Sequence, residues 1–311
     1  MHTKRWMAMI ALGLLVASGC SSGDPVSDEA PTEGEMAEEA QEQQEEMEAS
    51  EVATDGADHE DELRQLLQEV AAGDHRDEEE RARDVYRNPV ETLLFFGFDP
   101  NQNVLEIWPG GGWYTKILAP AITRSEGQLT VANFEIDEDD PESYLTQVGM
   151  AYLELLEEHR EEFGEVEVGT LALPDTVEMA PPESQDMVLT FRSLHNQHRQ
   201  GHLDDLMEAF YDVLRPGGTL GVVQHRAPEG SDPDETAPDG YLPEAFVIEM
   251  AEAAGFELVE SSEINANPED TADHEDGVWS LPPSLRGGEE TAEEMEAIGE
   301  SDRMTLRFVK R

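Results

Sequence analysis

Asn103-Val104-Leu105-Glu106-Ile107-Trp108-Pro109-Gly110-Gly111-Gly112-Trp113-Tyr114-Thr115 is the stretch around which the rest of the chain is organised. It opens as a short apolar run, 104–107, with Glu106 set inside it. It breaks at Pro109 to Gly112 and resumes at Trp113 as an apolar-periodic segment that predicts a helix. Strand, glycine turn, helix is the opening of a nucleotide-binding α/β unit. Glycines have no Cβ, so the backbone turns sharply and a ligand can lie against bare main chain beside the unpaired N–H groups of the helix start. The spacing differs from G-x-G-x-x-G, and no Gly-Lys-Ser/Thr follows as in a P-loop. The plainer reading of such glycines is a tight turn.

Downstream of this unit, strands and helices alternate. Strands are predicted at 103–107, 127–134, 165–171, 186–191 and 219–224, then at 256–262 and 305–310. Helices are predicted at 113–122, 141–163, 202–214 and 241–254. In 202–214 the residues Leu203, Leu206, Met207, Phe210, Tyr211 and Leu214 recur at i, i+3, i+4, i+7, which is the pattern of an amphipathic helix. Arg215-Pro216-Gly217-Gly218 then reads as a turn, because proline halts the helix and the glycines allow positive φ. Such alternation argues for a Rossmann-like, doubly wound α/β fold with a mainly parallel seven-stranded sheet and an antiparallel last strand. Upstream, 58–88 reads as helical, and Val90 to Phe98 as an apolar segment packed across the core. Arg81, Arg83, Asp84 and Arg87 lie on a charged helix that can face the site, although a solvated face is the ordinary role of such a helix.

The glycine motif, the Asp186-headed strand and Leu214-Arg215-Pro216-Gly217-Gly218 occur in the order found in class I S-adenosylmethionine-dependent methyltransferases, which residues 80–311 resemble. Trp108-Pro109 stands where small residues are more usual. More narrowly, the chain looks like bacterial exported or lipoprotein methyltransferases carrying Pro109 to Tyr114 near the start and Glu300-Ser301-Asp302-Arg303-Met304 at the end. The resemblance implies S-adenosylmethionine as cofactor. It makes Glu106 the acid of the first strand and Gly110, Gly111 and Gly112 the cradle, with Pro109, Tyr114 and Thr115 beside them. It also puts a ribose-binding acid at the end of the second strand. Asn133, Glu135 and Asp137 are the candidates, and Glu135 is preferred because a carboxylate accepts from both ribose hydroxyls.

The 311 residues carry 72 acidic and 19 basic side chains, a formal net charge of −53. That charge repels nucleic acid and anionic membrane surfaces. An acid-rich, lysine-poor composition suggests a halophilic source. Residues 1–19 read as a lipoprotein signal peptide: Lys4 and Arg5, a short apolar core, then small residues before Cys20. Cys20, the single cysteine, is the expected lipidation site, so no internal disulfide forms. Ser21 and Ser22 after it favour the periplasmic side of the outer membrane. Residues 20–60 are too polar to offset their ordering entropy and read as an acidic, disordered tether. The domain is expected at 61–311, exported and touching the membrane through its lipid anchor only.

His195 and His225 fall at the predicted carboxyl ends of two strands, the edge where open α/β sheets bind ligands. Histidine serves as a general base near neutral pH, so His195, His225 and the adjacent Asn196 are the candidate catalytic residues; a structural role is the plainer reading of each histidine. Arg192 and Arg226 can bind a substrate carboxylate or phosphate, or pair with the many acids. His198 and His202 have i, i+4 spacing, but no Glu follows His198 as in zincins, and no metal is expected. Trp113, Trp279 and the loop 265–271 can close over a ligand or simply pack. The expected function is methyl transfer to a small-molecule acceptor. An exported lipoprotein works where no S-adenosylmethionine supply is expected, so two other readings compete. One is a non-catalytic ligand-binding module on the same fold. The other is a hydrolase or lyase using the histidines.

Overall fold

Leu105 and Ile107 point to one side of their strand, Val104 and Glu106 to the other, and that alternation divides the core. The structure is a computed structural model and describes residues 59–311. The signal segment, Cys20 and the tether up to residue 58 lie outside the described residues. Residues 59 and 60, read above as the end of the tether, already belong to helix α1 (59–71).

Short helices follow: α2 (Glu78–Ala82), α3 (Asp84–Arg87) and α4 (Pro89–Phe96). Asp77 caps α2 in a reciprocal capping box with Glu80. Pro89 starts α4, where its missing N–H is no loss. The helical stretch breaks at Gly73 and at Asn88, whose φ is +39°, as the sequence suggests, and its charged part is further divided at Arg83 into α2 and α3.

The alternating region runs β1 (Asn103–Ile107), α5 (Thr115–Ile122), β2 (Gln128–Asn133), α6 (Tyr144–Glu158), α7 (Arg160–Phe163), β3 (Glu167–Ala172), β4 (Thr176–Glu178) and β5 (Gln185–Phe191). It continues with α8 (Leu194–Gln200), α9 (Leu203–Val213), β6 (Leu214–His225), α10 (Pro233–Thr236), α11 (Glu244–Ala253), β7 (Phe256–Ser262), α12 (Glu289–Ile298) and β8 (Arg303–Lys310). The sheet order is β4-β3-β2-β1-β5-β6-β8-β7. Strands β3, β2, β1, β5 and β6 are parallel, and β8 runs antiparallel between β6 and β7. This is the expected doubly wound arrangement with an antiparallel finish.

Four local expectations are corrected. The sheet has eight strands rather than seven, because Thr176–Glu178, inside the Pro-rich loop, folds back as an edge strand on β3. Prolines on both sides hide this strand from a reading by turn signals. The helix expected over 141–163 is two, α6 and α7, jointed at His159. Its buried face is Thr146, Gly149 and Tyr152, while Tyr144 is 77% exposed. Residues 215–218 are no free turn either: β6 begins at Leu214, directly after α9, and they bulge between the Gln185–Leu214 and Met187–Thr219 pairs. Finally, α12 lies between the last two predicted strands, where no helix is predicted.

One face of the sheet buries Leu105, Ile107, Leu220 and Phe308 against α9 and α11. The other buries Val104, Leu189 and Val223 against α1, α4 and α5. At the second face Gly221 is required: a Cβ there would come within 2.8 Å of the Phe96 ring. Each such fully buried Leu or Phe contributes about 1.5–3 kcal/mol.

Candidate functional site

After β1 the chain goes to β2 and β3 on one side and then crosses to β5 on the other. Ligands of open α/β sheets bind outside the carboxyl ends of the strands at such a reversal. A groove of about 580 Å³ lies there. Trp108 after β1, Phe134 and Glu135 after β2, Leu173 after β3, and Arg192 and Ser193 after β5 line it.

The glycine turn is held by Gly112 N–H donating to the Pro109 carbonyl at 2.9 Å. Gly110 has a φ of +58°, and a Cβ at Gly110 or Gly111 would meet nothing within 4 Å, so this backbone faces open space. Gly112 faces inward: a Cβ there would lie 2.4 Å from the Leu155 side chain. Glu106 and Thr115 lie beneath the turn. The Thr115 hydroxyl donates to Glu106 at 2.6 Å and lies 3.2 Å from the Tyr152 hydroxyl. Burial raises the Glu106 carboxyl to about 7, against the opposing pull of the Thr115 hydrogen bond and Arg192. Glu106 therefore braces the turn from inside and does not line the groove.

Trp108 follows β1 with a φ of +43°. Its indole stacks on Phe134, 6.0 Å between centroids and 11° from parallel, and its Nε1 donates to the Leu171 carbonyl at 2.9 Å. The ring therefore lies across the ends of β2 and β3. Glu135 lines the groove and accepts from the Thr176 hydroxyl at 2.9 Å. Asn133 is committed elsewhere, donating to the Gly149 carbonyl and accepting from Phe134 N–H. Tyr114 is buried with its ring stacked on Phe191, centroids 3.6 Å apart, and its hydroxyl donates to the Arg87 carbonyl at 3.4 Å.

Behind the β5 end of the groove is a cluster of arginines. Glu300 accepts from Arg83 Nε at 2.7 Å and Arg87 Nε at 3.0 Å, and Arg303 lies 3.2 Å away. Burial alone would raise this carboxyl, yet Arg87, Arg303, Arg83 and Arg192 hold it down to about 2. Burial and then Arg192 lower Arg87 to about 9. Burial and then Arg303 lower Arg192 to about 10. Both stay charged at neutral pH. Arg87, which reads as part of a solvated face, is buried instead, and its guanidinium lies 4.7 Å from the Trp113 ring centroid, with Arg76 at 4.8 Å. Sequence reasoning misses Arg76, Glu300 and Arg303. The signal for the last two was the Glu300-Ser301-Asp302-Arg303 run, whose spacing carries no local chemistry.

The two histidines are brought together, 5.8 Å between ring centroids, beside the groove rather than in its lining. His195 is buried and lies 3.2 Å from the Gln224 amide; burial lowers it to about 4. His225 Nδ1 lies 2.5 Å from the Ser301 hydroxyl, and burial, His195 and the arginines hold it well below the usual range. Both are neutral at pH 7, and a histidine lowered this far is a weak base. Asn196 lines the groove. Arg226 is spent on Asp302, Glu263 and Glu244. His198 and His202 pair with Asp234 and Asp205. In the loop 265–271, Asn267 donates to the Ile298 and Glu300 carbonyls and Asp270 accepts from Tyr241, so the loop anchors the terminal strand. Trp279 packs edge-on to His195.

No protein-family model matches the chain. No curated protein matches it either. Among solved structures, the [4+2]-cyclase SpnF aligns over 77% of this chain and 85% of its own, at 19% identity and a TM-score of 0.50. A SAM-dependent methyltransferase from Aquifex aeolicus aligns over 59% and 87%, at 18% identity and a TM-score of 0.46. Haemonchus contortus phosphoethanolamine N-methyltransferase 2, in complex with S-adenosyl-L-methionine, aligns over 72% and 52%, at 17% identity and a TM-score of 0.45. At 19% identity the likeness to SpnF speaks to the fold alone, a Rossmann-like doubly wound α/β sheet.

Proposed function

We propose that the groove binds S-adenosylmethionine and that the protein transfers a methyl group to a small acceptor. The observation that carries this reading is the position of the groove: it straddles the reversal between β1 and β5 with a carboxylate, Glu135, at the end of β2. The residues present fit the cofactor. Glu135 suits a ribose diol and the Trp108–Phe134 pair offers a flat apolar wall for a base; Gly110 and Gly111, outside the lining of the groove, offer bare backbone facing open space. When bound, the cofactor supplies a methyl group already activated on a sulfonium. The protein then has to align the acceptor and exclude water. Arg192, Asn196 and Gln197 stand at the end of the groove where the acceptor would enter. His195 and His225 lie beside the groove rather than in its lining, so an acceptor that is already nucleophilic suits the site.

A second reading, an exported binding module that retains the fold without transfer, is favoured by Trp108. Its indole is pinned to Leu171 across the ends of β2 and β3, where a nucleoside would lie. Calorimetric titration with S-adenosylmethionine and S-adenosylhomocysteine separates the two. The first reading expects binding to the wild type that is lost in Gly111→Arg, where a Cβ meets no protein atom within 4 Å. The second expects no binding to the wild type, with binding gained in Trp108→Gly, which also relieves the positive φ.

A further inference from the structure

In a chain of net charge −53, four of the nineteen basic residues converge on one ionised carboxylate. Arg83, Arg87 and Arg303 share Glu300. Arg192 feels the charges of Glu300, Arg303 and Arg83, and among the described residues its guanidinium forms neither a side-chain hydrogen bond nor a salt bridge, unlike Arg83, Arg87 and Arg303. Glu106 accepts from the Thr115 hydroxyl rather than from any of these arginines. Arg192 is half-buried at the groove, so among the described residues its charge is left to water or to a ligand there.

Two further observations bear on this end of the groove. Arg192 has a φ of +58°, and its N–H donates to the Val223 carbonyl at 2.7 Å. Non-glycine residues held in the left-handed region are uncommon and cluster at ligand and active sites, and of the six in the described residues Arg192 and Trp108 line the groove. Gln197 lines the same end of the groove, is only 8% exposed, and its Oε1 is buried without a hydrogen-bond partner. The two ends of a carboxamide exchange by a flip, so this side chain can donate as readily as accept. Asn196 lines the groove beside it.

We propose that the β5 end of the groove binds a carboxylate or phosphate group of the acceptor, with the Arg192 guanidinium as its charged partner and the Gln197 and Asn196 amides as neutral ones. The guanidinium fork suits a planar carboxylate or a phosphate edge. Glu135 lies on the other side of the reversal, after β2, so the acid-lined and base-lined ends take different parts of the ligand set. The anion site stands on the arginine geometry alone; assigning it to an acceptor rests on the methyl-transfer reading.

The test uses inorganic phosphate and, separately, sodium acetate, at ionic strength held constant with sodium chloride. Thermal midpoint and tryptophan fluorescence of the full chain are followed. A saturable rise in midpoint is expected with at least one anion. Affinity should fall at least tenfold in Arg192→Asn, a residue that tolerates positive φ, and stay unchanged in Arg199→Gln, an exposed arginine outside the groove. A cooperatively folded wild type with no saturable response, or an equal response in Arg192→Asn, overturns the site. The titrations are repeated with S-adenosylhomocysteine. Unchanged anion affinity supports an acceptor site, whereas competition gives the arginine to the cofactor's own carboxylate and overturns the acceptor assignment. If S-adenosylhomocysteine does not bind at all, the methyl-transfer reading fails and the anion titrations still judge the site.

Discussion

Glu106 and Glu300 are two buried carboxyls with opposite fates, and both can be tested by substitution. Glu106 is raised from 4.5 to about 7, so the folded state holds its proton where the unfolded chain has released it. Its stabilising share is complete below pH 4.5 and is lost as pH rises to about 7, by about 3 kcal/mol for a shift of this size. In Glu106→Gln that slope is absent. Urea unfolding should show the variant gaining on the wild type between pH 5 and pH 8; a constant difference would mean that Glu106 is ionised. Glu300 is lowered to about 2, so its contribution is present above pH 4.5 and fades only as pH falls through 2. Glu300→Gln leaves Arg83, Arg87 and Arg303 around a neutral amide. It should lose about 3–5 kcal/mol, the usual cost of breaking a buried ion pair from one side. A loss below 1 kcal/mol in the same unfolding assay would show that the arginines do not depend on it.

Between elements, what was legible in the sequence was what is local. The strand–glycine–helix unit and the α9 periodicity span a few turns of chain, and both were found where expected. The edge strand β4 and the joint at His159 were hidden because tertiary pairing overrides turn and helix signals there. Much of the charged cluster was beyond local reading, because Arg83 and Glu300 are 217 residues apart. The groove edge was anticipated at Glu135, Arg192 and Asn196, but the inward turn of Glu106 was not, since only the α5 contact shows it bonded to Thr115. Lys310 is a further link of this kind. From the end of β8 its ammonium donates to the Tyr211 and Leu214 carbonyls, both at 2.8 Å, closing the C-terminus of α9. Lysine favours that end of a helix through both hydrogen bonding and the dipole. Lys310→Met keeps the aliphatic stem, and should cost about 1–3 kcal/mol in chemical unfolding; an unchanged midpoint would mean that water serves those carbonyls equally well.

At the scale of the whole molecule, the net charge and the single cysteine each carry a prediction. We propose that Cys20 carries the acyl chains that hold the protein to the envelope. Growth with labelled palmitate should label the wild type and leave Cys20→Ser unlabelled; equal labelling of both would dismiss the anchor. The same scale gives the arginine cluster a kinetic meaning. An anion approaching the groove first meets the repulsion of a molecule with 72 acidic groups and only then the attraction of a few sheltered guanidiniums. Salt shortens the reach of exposed charges from about 10 Å at 0.1 M to about 3 Å at 1 M, while sheltered charges are screened far less. Rising salt therefore lowers the outer barrier more than it weakens the inner well. Capture of an anionic ligand should quicken with salt, the reverse of ordinary electrostatic steering, so that ionic strength serves the groove as a gate.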